Sequence, residues 1–174
     1  YERLVFMGLF DFLKKKTADS SVAPIPAAPS VPEPVIETHH IAGVTSYMEN
    51  IMSMAIENED YAKSKKCLVD DFLTDERIFQ YFWDVLKVDL IEEPDNQHDK
   101  NAIKVMIDGV HVGYIKKGSC SHIKNLMKSG NIAKISARVG GGKYKYVYED
   151  EETEKYVMDK GELPVGVTLE IELN

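Results

Sequence analysis

The chain has no run of eighteen apolar residues, so nothing in it reads as a transmembrane helix. It has only two cysteines, Cys67 and Cys120, which fall in different predicted elements and at no metal or redox spacing. A disulfide scaffold is thereby excluded, and two reduced thiols in a cytoplasmic protein are expected. The opening YERLVFMGLFDFLKKK is no secretion signal, because its lysines follow the apolar residues instead of preceding them. Gly-x-Ser-x-Gly, Walker, His-Glu-x-x-His and dinucleotide signatures are all missing. The GGGK at 140–143 lacks the Ser or Thr that a phosphate loop places after its lysine, so it reads as a tight turn between strands. His39, His40, His98, His111, His122 and Cys120 match no zinc spacing. No enzyme, metal or cofactor is expected.

What is present suits one folded domain with an N-terminal extension. The chain has 174 residues and 44% hydrophobic content, enough to bury a core. Gly8–Lys16 reads as a short amphipathic helix ending in three lysines, too short for stable membrane association. With it, residues 1–16 form an extension. Residues 17–38 gather most of the prolines with alanine and serine, as a semi-extended linker does. The folded domain is expected over 39–174.

Charge is unevenly spread. The net charge is −8, yet residues 97–147 hold ten basic and two acidic groups, a local +8 that can attract a polyanion. Within that stretch, Lys143, Tyr144, Lys145 and Tyr146 interleave cations with rings, the composition that neutralises phosphates and stacks bases. Strand alternation would separate the lysines from the tyrosines on opposite faces.

Element signals are clearest in the middle of the chain. HHIAGVTSY alternates as a first strand, and Met48, Ile51, Met52, Ala55 and Ile56 recur at helical spacing up to Asn58. Ser64 is a cap for a helix over KKCLVDDFL. ERIFQYFWDVLKVDLIEE reads as one bent strand or a strand pair. Ala102–Ile107 and Val110–Ile115 form a hairpin about an Asp108-Gly109 turn of type I′. Ser119–Ser129 is a helix stopped by Gly130, and four short strands follow. The sum is an α+β fold, mainly antiparallel, with two or three helices.

Before the hairpin stands EPDNQHDKNAIKV, residues 93–105, with more polar turn formers than a connection needs. Pro94, Asp95 and Asn101 suit loop closure and strand entry. Asp99, between His98 and Lys100, is either a backbone cap or a carboxylate that accepts from a ligand hydroxyl.

This stretch, followed by DGVHVGYIKKGS, resembles the HIRAN domain family. The match runs through Glu93, Pro94, Asn96, Asp99, Asn101, Ala102, Ile103 and Val105, then Val112, Gly113, Tyr114, Ile115, Lys116 and Lys117. HIAGV looks like the family's first strand, and GGGKYK like a stand-alone bacterial or phage variant. The resemblance implies a small, partly open OB-like β-barrel that binds single-stranded DNA or 3′ DNA ends in repair or replication. It implies that Asp99 accepts from the terminal hydroxyl with Asn96 and His98 beside it. Tyr114, Lys116 and Lys117 would line the nucleotide and phosphate path, and His40 and Ile41 would stand at the base-packing positions. Lys143 and Tyr144 complete the candidate nucleic-acid set. Gln97, His98 and the His40-Ile41 pair depart from the family pattern. The N-terminal arm is read as a tether for a repair or replication protein. The competing reading is a protein-interaction adaptor that keeps the fold without binding DNA.

Overall fold

The computed structural model describes residues 34–174. The expected helix at Gly8–Lys16 and the linker up to residue 33 lie outside the described residues. The strands pair antiparallel in three sheets, joined by short helices. This is the expected α+β class. None of the three sheets closes on itself among the described residues, so the arrangement is partly open.

The central sheet runs β5 (Val88–Glu92), β6 (Ile103–Ile107), β7 (Val110–Tyr114). Period-two alternation drives β6 inward: Ile103, Val105 and Ile107 are buried while Lys104 and Met106 are not. Asp108 (φ 49°) and Gly109 (φ 82°) make the two-residue turn in the left-handed pair of conformations that a type I′ turn requires. The Asp108 carboxylate also accepts from the Lys87 N–H at 2.8 Å, pinning the turn to the chain entering β5. A bulge between Val105 and Met106 shifts the hairpin register, so that Tyr114 lies opposite Lys104.

The largest sheet has the order β1-β9-β8-β3. β1 is Ile36–His40, starting three residues before the expected first strand. β3 is Arg77–Phe79; β8 (Ile132–Asp150) and β9 (Lys155–Leu173) are 19-residue strands paired along their length. The expected inter-strand turn at Gly140–Gly142 is therefore corrected. The glycines are a bulge inside one continuous strand, opposite Leu163–Gly166. Gly141 has φ 116°, and a Cβ there would overlap the carbonyl of Pro164. The chain passes straight through because backbone crowding at this point bends the ribbon without reversing it.

ERIFQYFWDVLKVDLIEE also resolves differently from expectation. It forms three short strands in three sheets: β3, β4 (Tyr81–Phe82), which pairs with β2 (Ile56–Glu57), and β5. The helix expected up to Asn58 stops early. A 3-10 turn at Val44–Tyr47 leads into α1 (Met48–Ser53), whose Ile51 is fully buried. α2 (Glu59–Ala62) is capped by Asn58 and α3 (Lys65–Asp70) by Ser64, whose hydroxyl accepts from Cys67 N–H. α4 (Lys117–Ser129) buries Cys120, Ile123 and Leu126 and ends on left-handed Gly130. It begins two residues before Ser119, with Lys116 at the cap position.

Two cores result. The main one joins Ile41, Ile51, the inward residues of β6, Val112, Ile115, Cys120 and Ile123 to Ala137, Val167, Leu169 and Ile171. A smaller one packs Leu68, Ile78 and Val147 under α3. No helix among the described residues is long and apolar enough to cross a membrane.

Candidate nucleic-acid interface

The loop from Glu93 to Asn101 leaves β5 and re-enters β6, and its own side chains hold its shape. Glu93 N–H donates to Ala102 O at 3.0 Å, closing the base. The Asn96 carbonyl oxygen accepts from the backbone N–H of His98 (2.9 Å) and Asp99 (3.1 Å), while its amide donates to Glu93 Oε2 (3.0 Å). Both ends of the Asn96 side chain therefore organise the loop. Asp99 accepts from Asn101 N–H through Oδ1 at 2.8 Å, and its backbone oxygen takes Ala102 N–H. This is the backbone-cap reading of Asp99. Its second carboxylate oxygen has no protein donor among the described residues, so it can also accept from a ligand. His98 is exposed beside it.

Glu93 is the hub. Besides Asn96 it accepts from the Tyr114 hydroxyl at 2.9 Å and pairs with Lys104. The ammonium of Lys104, then the Asn96 amide and the Tyr114 hydroxyl, hold its carboxyl down at about 2, against the opposing effect of burial. Burial, the Tyr47 hydroxyl and the Glu93 carboxylate push the Tyr114 phenol up, so it remains a donor. Three half-buried rings meet here. His111 lies 4.0 Å from Tyr47 and 4.9 Å from Tyr114 between centroids, and the two tyrosines are 6.0 Å apart. Burial lowers the His111 imidazole, keeping it neutral near pH 7.

The remaining candidates fall in three places. Lys116 and Lys117 are exposed at the start of α4. Asp99 is near that turn: after burial, its charge is the next largest influence raising the Cys120 thiol. His40 is exposed on β1, its Nδ1 3.2 Å from Thr168 Oγ1. Its neighbour Ile41 packs in the main core, and Ala42 exchanges two backbone hydrogen bonds with Tyr114 (2.8 and 2.9 Å). Lys143 and Tyr144 sit on β8, where their surroundings are β3, β4 and β9. The Tyr144 ring meets Phe79 edge-on at 5.7 Å, lies under the Arg77 guanidinium at 5.2 Å, and occupies the space a Cβ on Gly161 would need. Lys143 lines a cavity of about 730 Å³ with Met48, Met52, Trp83 and Leu163. Lys145 is buried and donates to the carbonyls of Tyr61 and Lys63.

Thus Asn96, His98, Asp99 and Tyr114 form one cluster around Glu93, with the lysine pair beside it, while Lys143 and Tyr144 belong to a second surface. Glu93, Lys104, Tyr47 and His111 are not among the residues expected at the site, although Glu93 stands in the family match and His111 is among the residues weighed as metal ligands. Glu93 and Lys104 stand at the two ends of the loop between β5 and β6 and have opposite charge, which was a usable signal. Tyr47 had none, because a tertiary bridge places it.

The HIRAN domain family model matches residues 79–173, more than half of the chain. The chain belongs to the HIRAN domain family. The crystal structure of the HIRAN domain of human HLTF is similar at 18% identity, over 78% of this chain and 75% of that one, with a TM-score of 0.30. No curated protein matches the chain.

Proposed function

We propose that the chain is a non-catalytic nucleic-acid-binding module that takes single-stranded DNA, with its 3′ end at the Glu93–Asn101 loop. The observation that supports this most is Asp99. One carboxylate oxygen is tied into the loop, the other is left to a ligand hydroxyl, and α4, headed by Lys116 at its cap and Lys117, is close enough for the Asp99 charge to act on its Cys120. A fixed acceptor next to exposed cations suits a polyanion that ends in a hydroxyl. The half-exposed rings of Tyr114, His111 and Tyr47 offer faces for bases, a contribution of roughly 1–3 kcal/mol per stacked base. Lys116 and Lys117 supply phosphate contacts, and Asn96 acts by shaping the loop. Lys143 and Tyr144 would be reached only by a strand long enough to cross to the second surface.

Fluorescence anisotropy with short single strands ending in 3′-hydroxyl or 3′-phosphate tests the reading. The hydroxyl end should bind more tightly, and Asp99→Asn should remove that preference while Lys117→Ala weakens both ends and flattens the salt dependence. Equal weak binding to both ends and to duplex would reduce the activity to general electrostatics.

A further inference from the structure

The end of α3 is built in a way that the nucleic-acid reading does not use. Phe72 N–H donates to Val69 O at 3.1 Å and Leu73 N–H to Leu68 O at 2.9 Å, the paired bonds of a Schellman stop. Leu68 and Leu73 supply the apolar contact that accompanies it, within the smaller core. In that motif the residue after the cap is left-handed, a position glycine fills without strain. Here it is Phe72, at φ 59°. The residue is 90% exposed, more than any other large apolar residue described.

Single exposed apolar residues are ordinary, and Leu86, 84% exposed, needs no explanation. Phe72 differs because the position penalises it twice, through backbone conformation and through solvation. Both sides of it are also fixed. Before it, Asp71 N–H donates to Cys67 O at 2.9 Å; after it, Leu73 is tied back to Leu68 and Asp75 N–H donates to Val147 O at 2.8 Å. The ring is therefore held out from a rigid platform, as interface anchors are. Its surroundings state the partner's charge. Asp70, Asp71, Asp75 and Glu76 are all exposed, and among them Asp71 pairs with Lys63 at 2.7 Å. These four carboxylates lie within four residues of Phe72 along the chain, against Arg77 as the one cation between residues 67 and 78, and this net negative stretch repels a nucleic-acid backbone.

We propose that Phe72 is the anchor of a protein-docking surface, and that its partner is a protein with an apolar pocket rimmed by lysine and arginine. The surface rests on the smaller core, separate from the Glu93–Asn101 loop, so it stands whether or not the chain binds DNA.

The test places a photo-crosslinking phenylalanine analogue at position 72 of the full chain in its native host, with the same analogue at Leu86 as control. The captured protein is then purified and titrated directly. A protein adduct at 72 and not at 86 is expected. Affinity for that protein should fall at least about tenfold in Phe72→Ala and Phe72→Gly, drop with added salt, and fall again when Asp70 and Asp75 become lysine. Phe72→Gly should meanwhile melt about 2–4 °C higher, since glycine relieves the left-handed position. A lower melting temperature would make Phe72 a structural residue and overturn the proposal. So would no adduct, an adduct to nucleic acid or to a second copy of this chain, or a partner whose affinity ignores Phe72.

Discussion

Replacing Glu93 by Gln keeps the shape of the hub and its acceptor oxygen for Tyr114 or Asn96, but removes the charge that faces Lys104. The depression of the Glu93 carboxyl from 4.5 to about 2 sets a ceiling of about 3 kcal/mol on what ionisation contributes to stability. The Glu93 side chain is 23% and the Lys104 side chain 28% exposed, so water screens the pair. About 1–2 kcal/mol is the expected loss at neutral pH. The sign of the pH dependence follows from the direction of the shift. A carboxyl depressed in the folded state contributes fully above its ordinary value of 4.5, and loses that contribution as pH falls toward 2. Urea unfolding of the wild type and Glu93→Gln at pH 7, 5, 4 and 3 reads this directly. The gap between them should be constant from pH 7 to 5 and shrink steadily below. In a Lys104→Met background the same replacement should cost less. A gap of equal size at pH 7 and pH 3 would refute the reasoning, because the hub would then act through shape alone.

Other outcomes follow from the same geometry. Gly113→Ala should cost about 2–4 kcal/mol in chemical denaturation: at φ 147° the new Cβ would lie 2.5 Å from Ala42 O and 2.7 Å from Ile41 Cγ2, breaking the bridge to Tyr114. A loss below about 1 kcal/mol would show that the bridge yields easily. Gly141→Ala should cost about 1–3 kcal/mol in the same assay, through left-handed strain and overlap with Pro164. Lys145→Met should destabilise by about 1–3 kcal/mol, measured by thermal melting, because the carbonyls of Tyr61 and Lys63 lose a buried donor. His111 is lowered in the folded state, chiefly by burial, so stability should fall as pH drops below 6.5, and His111→Gln should flatten that slope between pH 7 and 5.

Much of the local structure was legible in advance, for reasons that lie within a few residues. The Asp108-Gly109 turn, the Ser64 cap and the Gly130 stop each depend on the dihedral freedom or side-chain oxygen of one or two amino acids, and each stands where expected. The family was legible through the loop and hairpin, because their spacing reflects a compact local unit. The aromatic run at 77–92 was not legible. Its apolar alternation is the same whether it forms one strand or three, and its three pieces find partners in three different sheets. Gly140–Gly142 misled for a related reason, since glycines serve turns and bulges alike.

At the candidate site the division is finer. The sequence by itself determined that a polar, self-capped loop precedes a tight hairpin, because Asx side chains and a type I′ turn act on their own backbone. An unbulged hairpin around Asp108-Gly109 would set Tyr114 opposite Ile103. The bulge at Val105/Met106 sets it opposite Lys104 instead, where both reach Glu93. The pairing of Ala42 with Tyr114 belongs to the same tertiary decision, and it places the turn bearing Tyr47 against His111. Strand register and bridges depend on which distant backbone groups find each other, and no short stretch of sequence specifies that.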